Sequence, residues 1–182
     1  MFELENNIER VLLDETAIRS RVDVLAREIT AAYAGKELTV VVVLNGSLVF
    51  AADLLRRVPL PLRLDCISVS SYHGGTETTG VVTFLQTVLP DVNGRDVLLL
   101  DDILDTGHTL RAIREKLLAE AQPLSVNLGV LLRKCKTTAP LIEANYVGFE
   151  IEDEFVVGYG LDYQAKYRNL PYIGVLKPTA YR

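Results

Sequence analysis

Three aspartates and two threonines fall within one short stretch, Asp101-Asp102-Ile103-Leu104-Asp105-Thr106-Gly107-His108-Thr109. The apolar run Val97-Leu98-Leu99-Leu100 precedes it, and Leu110, Ile113 and Leu117 follow at helical spacing. That order reads as a buried strand, a turn and a helix N-terminus. In open α/β sheets, ligands collect at the carboxyl ends of strands. Here the turn offers a row of backbone N–H groups, two hydroxyls and the positive end of a helix dipole, which together suit a phosphate. Gly107 lets the backbone come close to such a ligand. The paired carboxylates Asp101 and Asp102 suit Mg²⁺ or sugar hydroxyls.

Blander and rival readings fit less well. Asp101 and Asp102 could be solvated strand-end charges, and Asp105 a helix N-cap; their conjunction with the Thr-Gly-His-Thr turn argues against that. Asp-Thr-Gly after an apolar pair also occurs in aspartic proteases, but no second copy is present and the chain is neither short nor all-β. Neither Gly-x-x-x-x-Gly-Lys-Ser/Thr nor Gly-x-Gly-x-x-Gly occurs, so P-loop and dinucleotide folds lack support.

The elements that must carry this stretch are legible in outline. Residues 16–33 place Ile18, Val22, Leu25, Ile29 and Ala32 at spacings of three and four, which predicts an amphipathic helix. Residues 40–44 form a β-branched run ending at Asn45-Gly46, a buried strand and a turn. Residues 48–57 read as a helix stopped by Pro59 and Pro61, and 62–70 as a strand. Residues 71–80 are rich in Gly and Thr and predict an exposed loop. Strands are expected at 81–88, 97–100 and 124–132, a helix at 109–121, and short strands and loops from Tyr146 on. Alternating helices and apolar strands predict an α/β fold with a parallel sheet covered on both faces.

Composition bounds the rest. The chain has 182 residues, 24 acids against 19 bases and a net charge of −5, with 49% apolar and 24% charged residues. This is the balance of a folded globular protein and not of a disordered chain. The absence of a basic excess argues against nucleic-acid binding. No apolar run approaches the ~18–20 residues of a membrane span, and no signal peptide is apparent. Cys66 and Cys135 lack metal-ligand spacing and suit a reduced, cytoplasmic setting. No linker or repeat divides the chain, so residues 1–182 are expected to form one domain.

The stretch from Val97 to Thr109 resembles the phosphoribosyl-diphosphate (PRPP) binding motif of the type I phosphoribosyltransferases. Val43-Leu44-Asn45-Gly46-Ser47 is similar to that family's pyrophosphate loop, and Ser70-Ser71-Tyr72 to the start of its catalytic lid. Phe149-Glu150-Ile151-Glu152-Asp153-Glu154-Phe155-Val156-Val157-Gly158-Tyr159-Gly160-Leu161-Asp162-Tyr163, continued by Arg168-Asn169-Leu170-Pro171-Tyr172-Ile173-Gly174, resembles the purine-binding segment of the family's hypoxanthine-guanine branch. The resemblance runs from about residue 10 to 176. It implies the type I fold: a parallel sheet flanked by helices, with a small hood of N- and C-terminal segments, purine-binding over about 146–176. It implies transfer of ribose 5-phosphate from PRPP to hypoxanthine or guanine, with Mg²⁺, in a homodimer or homotetramer.

The resemblance also implies roles. Asp105, Thr106, Gly107, His108 and Thr109 would anchor the 5′-phosphate, with Asp105 also the general base toward purine N7. Asp101 and Asp102 would hold the ribose hydroxyls and the metal, with Asp162 as a second metal-side position. Asn45, Gly46, Ser47 and Arg168 would contact pyrophosphate, and Ser71 and Tyr72 would open a lid over about 71–80. Lys134 would read the 6-oxo group, Phe155 would stack on the base, and Val156, Leu161 and Asp162 would line its edge. As a donor only, Lys134 favours 6-oxopurines over adenine. Asn45 and His108 stand where many relatives carry a cation, which leaves backbone roles at both. Cys135-Lys136-Thr137-Thr138 is less basic than usual, and His73 reads as an exposed loop histidine. The rival functions are a regulatory protein that keeps the PRPP site but binds nucleic acid, and a phosphoribosyltransferase preferring xanthine.

Overall fold

The structure, a computed structural model, describes residues 5–71 and 82–181. The elements are β1 (Ile8–Leu13), α1 (Glu15–Tyr33), β2 (Leu38–Leu44), α2 (Leu48–Leu55), β3 (Leu62–Ser71), β4 (Val82–Phe84) and β5 (Asp96–Leu104). They continue with α3 (His108–Glu120), β6 (Ser125–Lys134), β7 (Tyr146–Ile151), β8 (Val156–Val157), β9 (Ile173–Leu176) and α4 (Pro178–Tyr181). Among the described residues, no helix is long and apolar enough to cross a membrane.

α1 starts where Asp14 accepts the Ala17 N–H at 2.7 Å, an N-cap that satisfies one of the orphan donors of the first turn. Its apolar stripe, Ile18, Val22, Leu25, Ala26, Ile29 and Tyr33, is buried. The main sheet has the order β4-β3-β2-β5-β6-β7, parallel except for the edge strand β4. Its central strands are apolar on both sides. Val40, Val42, Leu98 and Leu100 face the layer of α1 and α2; Val41, Val43, Val97 and Leu99 face Leu110, Ile113 and Leu117 of α3. Burial of each such aliphatic side chain contributes roughly 1.5–3 kcal/mol, so the sheet forms a rigid floor.

The connections β2–α2–β3 and β5–α3–β6 leave the sheet centre in opposite directions and over opposite faces. The strand order therefore reverses between β2 and β5, and a crevice opens beyond their carboxyl ends, where open α/β sheets bind ligands.

A second, antiparallel sheet, β1-β9-β8, joins the two ends of the chain. Ile173 and Val175 face the main core, while Val157 and Leu176 pack with Tyr167 and Leu170. β1 and α4 have no counterpart among the sequence-derived elements. β1 is half-exposed, and its pairing with β9 brings together the two ends of the chain. Of the strand expected at 81–88, the described residues form Val82–Phe84, and pairing with β3 ends at Val69–Phe84. The expected lid lies outside the described residues, as do Tyr72 and His73; Ser71 closes β3.

Candidate active site

Strand register assembles the site. β2 and β5 pair in parallel with Val42 opposite Leu100. Two residues further on, Leu44 lies level with Asp102, so the Asn45-Gly46 turn abuts the acid pair. At Gly46 there is no space for a side chain: a Cβ would fall 1.7 Å from Asp102 Oδ2. The hood closes over the same turn. Gly160, at φ +105°, brings its backbone so near that a Cβ there would lie 2.0 Å from the Gly46 carbonyl oxygen. Ser47 is fully buried and donates to the Val43 carbonyl oxygen, pinning the turn to the end of β2.

Asp101 is buried and accepts the Asp102 N–H at 3.0 Å; Asp102 accepts the Ile103 N–H at 2.7 Å. Burial, then the adjacent Asp102 charge, pushes Asp101 well above the ordinary carboxylate range. Burial also raises Asp102, against the Ile103 N–H and the positive field of Arg168. Two enclosed carboxylates that repel each other are matched by a divalent cation. Among the described residues, no group of three or more acids, histidines or cysteines could hold a metal by itself. The donor set suits Mg²⁺, which commonly takes one or two carboxylates and completes its shell with water and phosphate oxygens.

Beyond Asp105 the chain turns at Gly107, φ +84°, which caps α3. The Leu141 N–H donates to the Thr106 carbonyl oxygen at 2.9 Å, and a Cβ on Gly107 would lie 3.0–3.3 Å from Ile142 and the Leu141 backbone. Thr106, His108 and Thr109 surround the helix N-terminus. A thirteen-residue helix with no side-chain cap there leaves its first N–H groups for an anion.

β5 and β6 pair with Leu104 opposite Arg133, which sets Asp105 beside Lys134. β6 and β7 pair with Lys134 opposite Ile151, so Asp153 lies just past the end of β7. The Lys134 ammonium donates to Asp153 at 2.9 Å and lies 3.6 Å from Asp105. Lys136 lies 2.5 Å from Asp105 Oδ1 and 3.4 Å from Asp153. Asp105 Oδ1 is shielded from solvent and takes no well-angled hydrogen bond, so Lys136 meets it as a charge. Lys134 chiefly holds Asp153 below the ordinary carboxylate range.

Phe155 keeps 37% of its surface exposed. The Tyr181 ring stacks on it at 4.7 Å and 18°, and Tyr163 meets it edge-on at 5.6 Å. Val156 is buried in β8, and Leu161 is buried in the core with Val156, Tyr159 and Ile173. Asp162 pairs with Arg168 at 2.7 Å and accepts the Ala165 N–H; Arg168 also donates to the Gly160 carbonyl oxygen at 2.7 Å. A cleft of about 360 Å³ between α1, α2 and the hood includes Arg168 but no other predicted site residue. Sequence reading missed Asp153 and Lys136 as site residues. Asp153 lies within the segment that carries the purine-binding resemblance but has no role there, and the register of β6 and β7 brings it to Lys134.

A reversing parallel sheet, a glycine turn at a helix N-terminus and a buried acid pair together make a phosphate-binding site beside a place for a divalent cation. The chain belongs to the phosphoribosyl transferase domain family, whose model matches residues 11–164. Relatives of the hypoxanthine-guanine branch match nearly its whole length. It is 45% identical over 178 residues to the hypoxanthine-guanine phosphoribosyltransferase of Streptococcus pneumoniae, covering 98% of both chains. It is 46% identical to that of Staphylococcus aureus, covering 98% of this chain and 99% of the relative. A crystal structure of a Staphylococcus aureus hypoxanthine phosphoribosyltransferase superposes with a TM-score of 0.91 at 45% identity, over 98% of this chain and 97% of that one. A ternary substrates complex of a variant hypoxanthine phosphoribosyltransferase from Trypanosoma cruzi gives 0.88 at 35% identity, over 97% and 100%.

Proposed function

We propose that the protein transfers the 5-phosphoribosyl group of PRPP to hypoxanthine and guanine, giving IMP and GMP plus pyrophosphate, in purine salvage. The observation that carries this reading is the row Asp105–Lys134 at neighbouring strand ends, beside the Gly107 turn. A purine with its 6-oxo group on Lys134 and its five-membered ring toward Asp105 presents an N7 proton to a carboxylate and an oxygen to an ammonium. The base then attacks C1′ of the sugar through N9. The C1′–O bond to pyrophosphate breaks, and the N7 proton passes to Asp105.

The first N–H groups of α3 and the hydroxyls of Thr106 and Thr109 hold the 5′-phosphate. Asp101 and Asp102 orient the ribose hydroxyls. Mg²⁺, when bound beside them, neutralises the departing pyrophosphate. The Asn45-Gly46-Ser47 backbone lies beside the same acids, and Arg168 lies close enough for its charge to act on Asp102. Asp162 serves the metal side only if it shares itself with Arg168, its present partner. Phe155 offers its open face to the base. Residues 71–80 act as a lid that keeps water from the reacting sugar. One domain over residues 1–182, a cytoplasmic location and a homodimer or homotetramer belong to the same reading. The net charge of −5 supports a small-molecule enzyme and not a nucleic-acid-binding regulator.

The test is a coupled assay with hypoxanthine, guanine, xanthine and adenine, each with and without PRPP and Mg²⁺. Hypoxanthine and guanine turn over, dependent on both additions. Asp105→Asn lowers kcat at least ~10²-fold, the usual size of a general-base contribution. Turnover of none of the bases, or a preference for xanthine, would overturn the reading; near-normal turnover by Asp105→Asn would remove Asp105 from its role.

A further inference from the structure

The transfer reading assigns Lys134 and Asp105, but the structure surrounds them with two more charged groups. Lys134, Lys136, Asp105 and Asp153 form one closed network, with ion pairs at 2.5, 2.9, 3.4 and 3.6 Å. The two strongest contacts are crossed: Lys136 with Asp105, and Lys134 with Asp153. The weakest joins Lys134 to Asp105, the two groups that must face the base.

We propose that Lys136 is a positioning residue for the base-reading pair: it occupies Asp105, while Asp153 occupies Lys134, so that proton acceptor and 6-oxo reader do not neutralise each other. The geometry gives the reason. Asp105 and Lys134 sit at adjacent strand ends, fixed by the β5–β6 register. With Lys136 removed, the nearest cation to Asp105 is Lys134, 3.6 Å away. A small rotation would join them directly, because unlike charges attract most strongly where water is scarce, and Lys134 is only 13% exposed. The purine would then meet a closed ion pair instead of a separate donor and acceptor. Lys136 enters from the loop after β6 and is more exposed than Lys134. It can withdraw from Asp105 when the N7–H arrives, whereas Lys134 must stay to bind the 6-oxo group. The Lys136 ammonium is held above the ordinary lysine range mainly by Asp105, in line with this pairing.

This inference rests on the proposed transfer reaction, and the experiment separates the two. Steady-state constants for hypoxanthine and PRPP, with the thermal midpoint, are measured for the wild type, Lys136→Met, Lys136→Arg, Asp153→Asn and the double variant Lys136→Met/Asp153→Asn. The transfer reading itself fails, and the inference with it, if the wild type forms no IMP. Given an active wild type, Lys136→Met lowers kcat/KM for hypoxanthine about tenfold, with KM for PRPP within twofold and the midpoint unchanged. Lys136→Arg stays within threefold of the wild type. The double variant loses less than the product of the single losses, because both changes break one network. The inference is overturned if Lys136→Met keeps or gains kcat/KM for hypoxanthine, if PRPP is affected equally, if Lys136→Arg is as impaired as Lys136→Met, or if the losses multiply.

Discussion

Gly46 and Asp101 show how single residues trade stability for a site. A Cβ on Gly46 would sit within bonding distance of Asp102 Oδ2, and the Gly46 carbonyl is itself covered by Gly160. The Gly46 backbone cannot back away, because Gly160 lies against its carbonyl, so the Asp102 carboxylate is the group that must move. Gly46→Ala is therefore expected to destabilise by about 1–3 kcal/mol, as overpacking does, and to abolish most activity by displacing Asp102. Urea unfolding and the IMP assay check both parts. Asp101 carries the opposite lesson. Its buried carboxyl and the Asp102 charge disfavour each other, so the neutral Asp101→Asn removes a repulsion. The ligand-free variant should melt roughly 2–4 °C higher, the shift expected for about 1 kcal/mol in a chain of this size, while its turnover falls. A lower melting point would show that the pair does not strain the fold.

At the scale of elements, the hood must be held against the main sheet for Phe155 and Arg168 to reach the site. One tie is a single hydrogen bond, from the Tyr159 hydroxyl after β8 to Asp53 of α2, at 2.6 Å. Burial, then Asp53, raises the Tyr159 hydroxyl's pKa above its ordinary value. On Asp53 burial likewise acts to raise the pKa, but the hydrogen bonds from Tyr159 and Arg56 outweigh it and the pKa falls. Tyr159→Phe keeps the ring and removes the bond, and should lower stability by about 0.5–1.5 kcal/mol. Because Gly160 follows directly, KM for PRPP should rise while the main sheet stays intact by circular dichroism. An unchanged denaturation midpoint would mean that packing of the ring, and not the bond, anchors the hood. Within the main sheet's own layer, Arg21 of α1 donates to the carbonyls of Val147 and Gly148 in β7 at 2.8 and 2.9 Å.

The molecule as a whole responds to pH through groups that folding encloses. Burial pushes the Tyr33 hydroxyl, at the end of α1 against Asn127, up to about 12. An unfolded tyrosine titrates near 10, so between these values the folded chain holds a proton that the unfolded chain has lost. The Tyr33 contribution is fully present below pH ~10 and disappears as pH rises toward 12. Stability of the wild type should decline across that window more steeply than that of Tyr33→Phe, in urea midpoints measured from pH 9 to 12; parallel curves would exclude Tyr33. The same contrast of scales shows what was legible. The apolar strands, α1 and α3, and the Asp101–Thr109 turn could be read from the residues alone, because alternation, helical spacing and a glycine at a turn are local properties of the chain. It carried the likeness of its purine segment as well. Folding alone sets the company those residues keep: β1 beside β9, Gly160 over Gly46, Tyr181 on Phe155, and Lys136 and Asp153 around Lys134 and Asp105. Those contacts join residues distant in sequence or depend on strand register, and register is set by how two faces of a sheet are buried at once, which no single segment of the chain encodes.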